Sequence, residues 1–269
     1  MYAMRAKVDL LSHDNEQSIK DLEAAIAMDP SKLNEVFNTG GVKPEDNSNP
    51  TALQQKDLDV LISRYPDDYR AYMFRGLFYN SFAAYDEQYY GPALKDLKQA
   101  NRLNPNSALV EYFLGLVYQK GAFWTKAAWA DTSESGGFRD KANSVALQHF
   151  QEAIKLDPTF AKAYAQVAES LYSLKQYREA IPYYDKVIEL APDNAGAYND
   201  RGLSKANTND NYGAISDFSK AIDLKKSKPA SSLANTYENR AVAYVAVMNY
   251  DRAIDDYSMA IGRSLHRYS

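Results

Sequence analysis

The sequence predicts an all-α fold, a solenoid of antiparallel helix pairs, and three observations predict it. Apolar residues recur at spacings of three and four, the mark of amphipathic helices. The same small, aromatic and proline positions return at a fixed interval. That interval is too short for one unit to bury its own apolar face. It is 34 residues, separating Ala180 from Ala214, Tyr164 from Tyr198 and Pro158 from Pro192. A period of this size is the signature of a repeat architecture.

The stretch AKAYAQVAESLYSLKQYREAIPYYDKVIELAPDN shows one unit in full. Its first helix, A, is predicted from about Ala161 to Leu174 and its second, B, from about Tyr177 to Leu190. Ala168 and Ala180 are small enough to let the two backbones approach where the helices cross. Tyr164, Leu171, Tyr184 and Ile188 fill the remaining space, and Pro192, which cannot continue a helix, closes the unit. The same B-helix frame places Ala93, Leu97, Ala100 and Pro105, then Ala146, Phe150, Ala153 and Pro158. Later it places Ala214, Phe218 and Ala221, then Ala253, Tyr257 and Ala260. An A segment precedes each, as with Tyr72 and Gly76, Gly115 and Tyr118, Tyr198 and Gly202, and Tyr237 and Ala241. Only a stacked neighbour covers the apolar face of so short a pair.

Tyr164, Ala168, Leu171, Ala180, Tyr184, Val187 and Pro192, followed by Tyr198, Gly202, Ala214, Phe218 and Ala221, resemble the tetratricopeptide repeat (TPR) family. The resemblance covers nearly the whole chain and implies a right-handed superhelical array. A single solenoid over 1–269 is expected, with units at 2–30, 31–66, 67–105, 106–158, 159–192, 193–230 and 231–265. The second unit is degenerate: LNEVFNTGGVKPEDNSNP has lost the helix A pattern and reads as loop. The fourth is stretched, because Ala93 and Ala146 lie 53 residues apart, and about nineteen extra residues fall in an insertion at 121–143. That insertion holds Trp124 and Trp129, which either pack on a neighbouring repeat or form a partner-contacting arm. Five extra residues also enter at AAYDEQYYGP and at KKSKPASS.

Composition narrows the function. Thirty-one basic against 35 acidic residues leave a net charge of −4, and the basic residues are scattered. A nucleic-acid partner, which requires a clustered Lys/Arg face, is not expected. Nor is direct membrane insertion, since no apolar run has membrane length. Cysteine is absent, which removes disulfides and thiol chemistry. That absence leans toward an exported bacterial protein, with soluble cytoplasmic and periplasmic locations both open. His13, His149 and His266 are far apart, and His149 reads as a surface or inter-repeat residue. No zinc-type His pair, nucleotide loop or Gly-x-Ser-x-Gly elbow is present. The carboxylates of DLEAAIAMD and YDRAIDDY are expected on solvent faces. The reading is therefore of a non-enzyme without cofactor or metal.

Binding remains. The resemblance implies that helix A lines a concave groove holding a protein or peptide partner. It assigns Met73, Leu77 and Asn80 to that groove, with Leu109, Tyr112, Leu116 and Gln119 from the next unit. Lys162, Ala165, Glu169 and Tyr172 follow, then Asn199, Leu203 and Asn207, then Asn235, Glu238 and Val242. With Trp124 and Trp129 these supply the partner-binding candidates. Amide side chains there can bond both N–H and C=O of an extended peptide. The Lys/Asn/Arg clamp by which some TPR domains hold acidic chaperone tails is incomplete, because Asn199 and Leu203 stand where Lys and Asn are needed; that function is rejected. Ile254, Tyr257 and Ile261 on the last helix lack an evident cap. Either the chain continues beyond this sequence or copies assemble through uncapped terminal repeats, so a self-assembling homo-oligomeric scaffold stays open beside the adaptor.

Overall fold

The computed structural model describes residues 17, 19–21, 23–24, 55–83, 86–124, 138–225 and 233–265. The chain divides into two compact units, Met1–Asp157 and Pro158–Ser269. Among the described residues all regular structure is helical: eleven well-defined α-helices, one 3-10 turn and a short helical stretch near residue 20. The loop expected at 33–50 lies outside the described residues.

In the first unit, α1 spans Gln55–Arg64, α2 Tyr69–Phe82, α3 Tyr90–Leu103, α4 Ala108–Trp124 and α5 Phe138–Leu156. Helix α2 pairs with α3, and α4 with α5. The Asp68 side chain accepts the Arg70 backbone N–H at 2.9 Å and so caps the start of α2, satisfying one of the amides that a helix start leaves without a partner. Five additional residues before α3 are absorbed partly by a 3-10 turn, Glu87–Tyr89, that runs directly into it.

The second unit continues with α6 at Ala161–Ser173, α7 at Tyr177–Leu190, α8 at Ala195–Asn207, α9 at Asn211–Lys225, α10 at Ala234–Ala246 and α11 at Tyr250–Leu265. Each helix packs on the next in the chain. The turns inside its three pairs share one geometry. Lys175, Asn209 and Met248 have φ of 60°, 66° and 59°, a left-handed conformation that lets the chain reverse. Around the first, the N–H of Lys175 bonds the Tyr172 carbonyl and the N–H of Gln176 bonds that of Leu171, both at 2.9 Å. Asn209 with Asp210 and Met248 with Asn249 repeat the pattern. This is a Schellman closure, which satisfies the last carbonyls of the helix.

Small A-helix residues receive large B-helix side chains. A Cβ on Gly115 would lie 2.5 Å from the Phe150 ring, and one on Gly202 would lie 2.8 Å from the Phe218 ring. Both rings are fully buried. Glycine at these two positions is thus required by close approach rather than by backbone conformation.

The expectation that helix carboxylates face solvent is corrected by the pairs that hold the helices together. Asp96, Asp217 and Asp256 are each 4 % exposed. Each lies one residue before the B-helix residue of the large-side-chain frame position (Leu97 and Phe218, which are buried, and Tyr257, which is exposed), facing an arginine one residue before the A-helix small residue. Arg75 donates to Asp96 at 2.7 and 2.9 Å, Arg201 to Asp217 at 2.8 and 2.6 Å, and Arg240 to Asp256 at 2.7 and 2.8 Å. Such two-pronged contacts suit the planar guanidinium. The third prong of each arginine reaches the preceding B helix, at Asp59, Asp185 and Ser219 respectively. One side chain therefore links three helices. In the fourth repeat, leucine and histidine stand at the arginine and aspartate positions. There His149 Nδ1 meets Glu111 at 2.6 Å and the ring stacks on Tyr118. His149 is thus a link within its own helix pair, not an outer surface residue.

Candidate functional site

The two units treat their candidate groove residues differently. In the first, Met73 and Leu77 are fully buried, and Asn80 is 1 % exposed with neither amide atom hydrogen-bonded. Tyr112 is 4 % exposed and packs on Phe113 and Phe150, with ring centroids 5.4 and 5.8 Å apart. Leu116 and Gln119 are half-buried. The assignment assumed that this helix face stays open, whereas Met73, Leu77, Asn80 and Tyr112 are buried and act as core. Trp124 closes α4, and Trp129 lies outside the described residues.

In the second unit the corresponding face is open. Lys162 and Asn199 are half-buried, whereas Glu169, Asn207, Asn235 and Glu238 are exposed. Three of the candidates meet around one cavity of about 280 Å³: Glu169 and Tyr172 from α6 and Leu203 from α8. Ser173 of α6, Tyr184 of α7 and Asp200 of α8 complete the wall. Helical spacing explains the grouping. Glu169, Tyr172 and Ser173 are three and four residues apart on α6, as are Asp200 and Leu203 on α8, so each set shares a face.

Amide groups border this cavity. Asn207 Nδ2 donates to the Tyr172 hydroxyl at 3.5 Å, a long contact. Asn239 Nδ2 donates to Asn199 Oδ1 at 3.2 Å, and Asn199 Nδ2 donates to Asp200 Oδ1 at 3.0 Å. The amides thus form a short relay from α10 across α8 to the cavity rim.

The electrostatics are one-sided. Although Glu169 is exposed as a residue, partial desolvation of its carboxyl at the cavity wall raises it above the ordinary carboxylate range, and the Asp200 charge pushes it further, against a hydrogen bond from Gln166. Burial likewise raises Asp200, opposed by the Asn199 hydrogen bond and the more distant charge of Lys225. The Tyr184 phenol is raised by burial first, then by the charges of Asp200, Glu169 and Tyr172. Arg201 and Lys205, on the same helix as Asp200, are directed elsewhere: Arg201 holds Asp217 and Asp185, and Lys205 Nζ lies 2.9 Å from Asp217. Among the described residues no cation lines the cavity.

Sequence reasoning missed Tyr184, Asp200 and Ser173. Tyr184 read as a pure packing residue because its frame position is one that fills the helix crossing. Asp200 lies two residues past Tyr198, outside the positions the groove assignment used. The signal available was a carboxylate on each of two successive A helices, Glu169 and Asp200, three residues out of the 34-residue register.

Among the described residues no three His, Asp or Glu side chains cluster as a metal site, and no helix is long and apolar enough to cross a membrane.

The tetratricopeptide repeat pattern matches residues 161–194, the unit quoted above. The chain is similar to mitochondrial import receptor subunit TOM70 of Homo sapiens, 29% identical over 170 residues, which are 63% of this chain and 25% of that one. It is also similar to small glutamine-rich tetratricopeptide repeat-containing protein 2 of Mycosarcoma maydis, 30% identical over 105 residues, 39% of this chain and 24% of that one. It thus spans about a quarter of the length of these relatives. Among solved structures, YrrB, described as a TPR protein with an unusual peptide-binding site, is 20% identical and has a TM-score of 0.58, covering 77% of this chain and 91% of its own. MamA has the same TM-score at 19% identity, with 76% and 97% covered. These structural likenesses show the fold. The repeat match at residues 161–194, together with the helix pairs and their repeating frame, marks the chain as a tetratricopeptide repeat protein.

Proposed function

We propose that the protein is an interaction adaptor whose second unit binds an extended segment of a partner protein across α6, α8 and α10. The observation that carries this reading is the polar cavity between α6, α7 and α8, continued by the Asn199 and Asn239 amides onto α10. Apolar walls with a few placed polar groups are the usual form of a recognition site, and side-chain amides suit the exposed backbone of an extended peptide. Relatives named as an import receptor subunit and a peptide-binding TPR protein support the same class of role.

A photo-crosslinker tests it. With p-benzoylphenylalanine at Leu203, on the cavity wall, discrete crosslinked protein bands are expected from the cell's own lysate. The same group at Lys220, exposed on α9, is expected to give none. Equal labelling from both positions, or none from either, overturns the assignment.

A second reading is assembly of copies through the last helix pair. It is favoured by the exposure of Val242, Met248, Tyr250, Ile254 and Ile261, which are 58%, 77%, 58%, 63% and 62% exposed. Apolar patches of this kind mark interaction surfaces. Light scattering over a concentration series decides it: growth of mass with concentration supports assembly, and a strict monomer throughout ends it.

A further inference from the structure

We propose that the cavity between α6, α7 and α8 takes a single lysine or arginine side chain of the partner segment. The inference rests on the adaptor reading and names the chemistry that its site selects.

The argument begins with what the cavity already holds. Its wall carries two carboxylates, Glu169 and Asp200, and two phenols, Tyr172 and Tyr184. Neither carboxylate has an ion pair. Each receives one neutral amide, Gln166 at 2.9 Å and Asn199 at 3.0 Å. A carboxylate offers about four acceptor positions, so most of that capacity is unused.

An independent observation points the same way. Tyr184 is 2 % exposed and lines the cavity. The charged groups that act on that hydroxyl are Asp200, Glu169 and Tyr172, all on the cavity wall. It therefore opens into the cavity and not into the helix packing. A donor entering the cavity would meet that hydroxyl.

The wall thus offers two carboxylates, three hydroxyls that can accept as well as donate, and aromatic faces, and what it lacks is a positively charged donor. An ammonium or guanidinium supplies several N–H donors and no acceptor. The Leu203 side chain and the tyrosine rings offer an apolar collar for the alkyl stem, as long basic side chains prefer, and aromatic faces attract cations. About 280 Å³ accommodates one such side chain but lies at the small end for an independent small-molecule ligand. A hard divalent cation, which takes six or more oxygens, is poorly served by two carboxylates on different helices. The amide relay beside the rim is placed to hold main chain on either side of the inserted residue.

The test uses the full chain and a random dodecapeptide phage library. Wild-type protein is expected to enrich peptides with a lysine or arginine at a common position. The Glu169→Gln/Asp200→Asn variant is expected to lose that enrichment. For the best selected peptide, replacing its basic residue by norleucine is expected to weaken binding about tenfold or more. The same replacement should have no further effect on the double variant. Tyr184→Phe is expected to weaken binding with the fold intact.

Folding does not confound these variants. Carboxyls raised by burial contribute stability that is present below the ordinary carboxylate range and is lost as pH rises through their folded values. The neutral amides escape that loss, so the double variant is expected to melt no lower than wild type at pH 7. Selection of acidic or purely apolar peptides, or equal affinity of wild type and double variant for the chosen peptide, overturns the proposal. So does competition by millimolar calcium alone with no effect of the peptide's basic residue. If crosslinking from position 203 survives in the double variant while the library shows no basic preference, the cation inference fails and the adaptor reading stands.

Discussion

Arg240→Ala is expected to cost about 3–5 kcal/mol, because it strips the arginine ion-pair partner from a buried carboxylate. Asp256 is 4 % exposed and receives both Nε and Nη2 of Arg240. Removing the guanidinium also breaks the contact with Ser219 and uncovers the faces of Tyr237 and Tyr244, over which it lies at 5.6 and 5.8 Å. Arg201→Ala makes the informative comparison. Its partner Asp217 is equally buried but keeps Lys205 Nζ at 2.9 Å, so the loss there is expected to be smaller. Denaturant midpoints measure this, and native-state hydrogen exchange localises it to α10 and α11. Repeat interactions are nearly local, so protection in the first unit should hardly change. Equal losses for the two arginine variants would refute the assigned compensation by Lys205.

Phe218→Ala is expected to cost about 3–5 kcal/mol, the range for deleting a fully buried ring. The more discriminating result is a change of sign at Gly202. In the wild-type background, Gly202→Ala gains helix propensity worth up to about 1 kcal/mol. Its new Cβ, however, would stand 2.8 Å from the Phe218 ring, which has no free space to retreat into. The substitution should destabilise. In the Phe218→Ala background the clash is gone and the space needs filling, so the same substitution should stabilise. A double-mutant cycle on denaturation midpoints reads this coupling. Additive effects would mean that the ring and the glycine backbone are not in contact as described.

The arginine pairs show why part of the architecture was hidden in plain letters. Arg75, Arg201 and Arg240 each precede a small A-helix residue by one, and Asp96, Asp217 and Asp256 each precede the large residue of the B-helix frame (Leu97, Phe218, Tyr257) by one. A periodic reading tuned to apolar residues passes over them, since charged residues on helices are usually solvated. Only the helix crossing, which brings positions 16 or 21 residues apart within hydrogen-bond reach, turns two surface types into a buried pair. The left-handed turns were equally unannounced. Lys175 and Met248 are not glycines, and it is the paired backbone hydrogen bonds on both sides that hold them there.

The candidate site divides along the same line. The resemblance led to Glu169, Tyr172 and Leu203, because one helix face can be counted from sequence. It also led to Met73, Leu77 and Tyr112, which are core, because counting a face does not say whether something covers it. Local periodicity by itself determined the helix pairs, their small-to-large contacts and their stacking, since an amphipathic helix of this length must find a neighbour. Tertiary structure alone decided which faces stay open, which carboxylates are neutralised and which are left unpaired around Tyr184. Those outcomes depend on distances between residues remote in sequence, and burial sets their energetic weight.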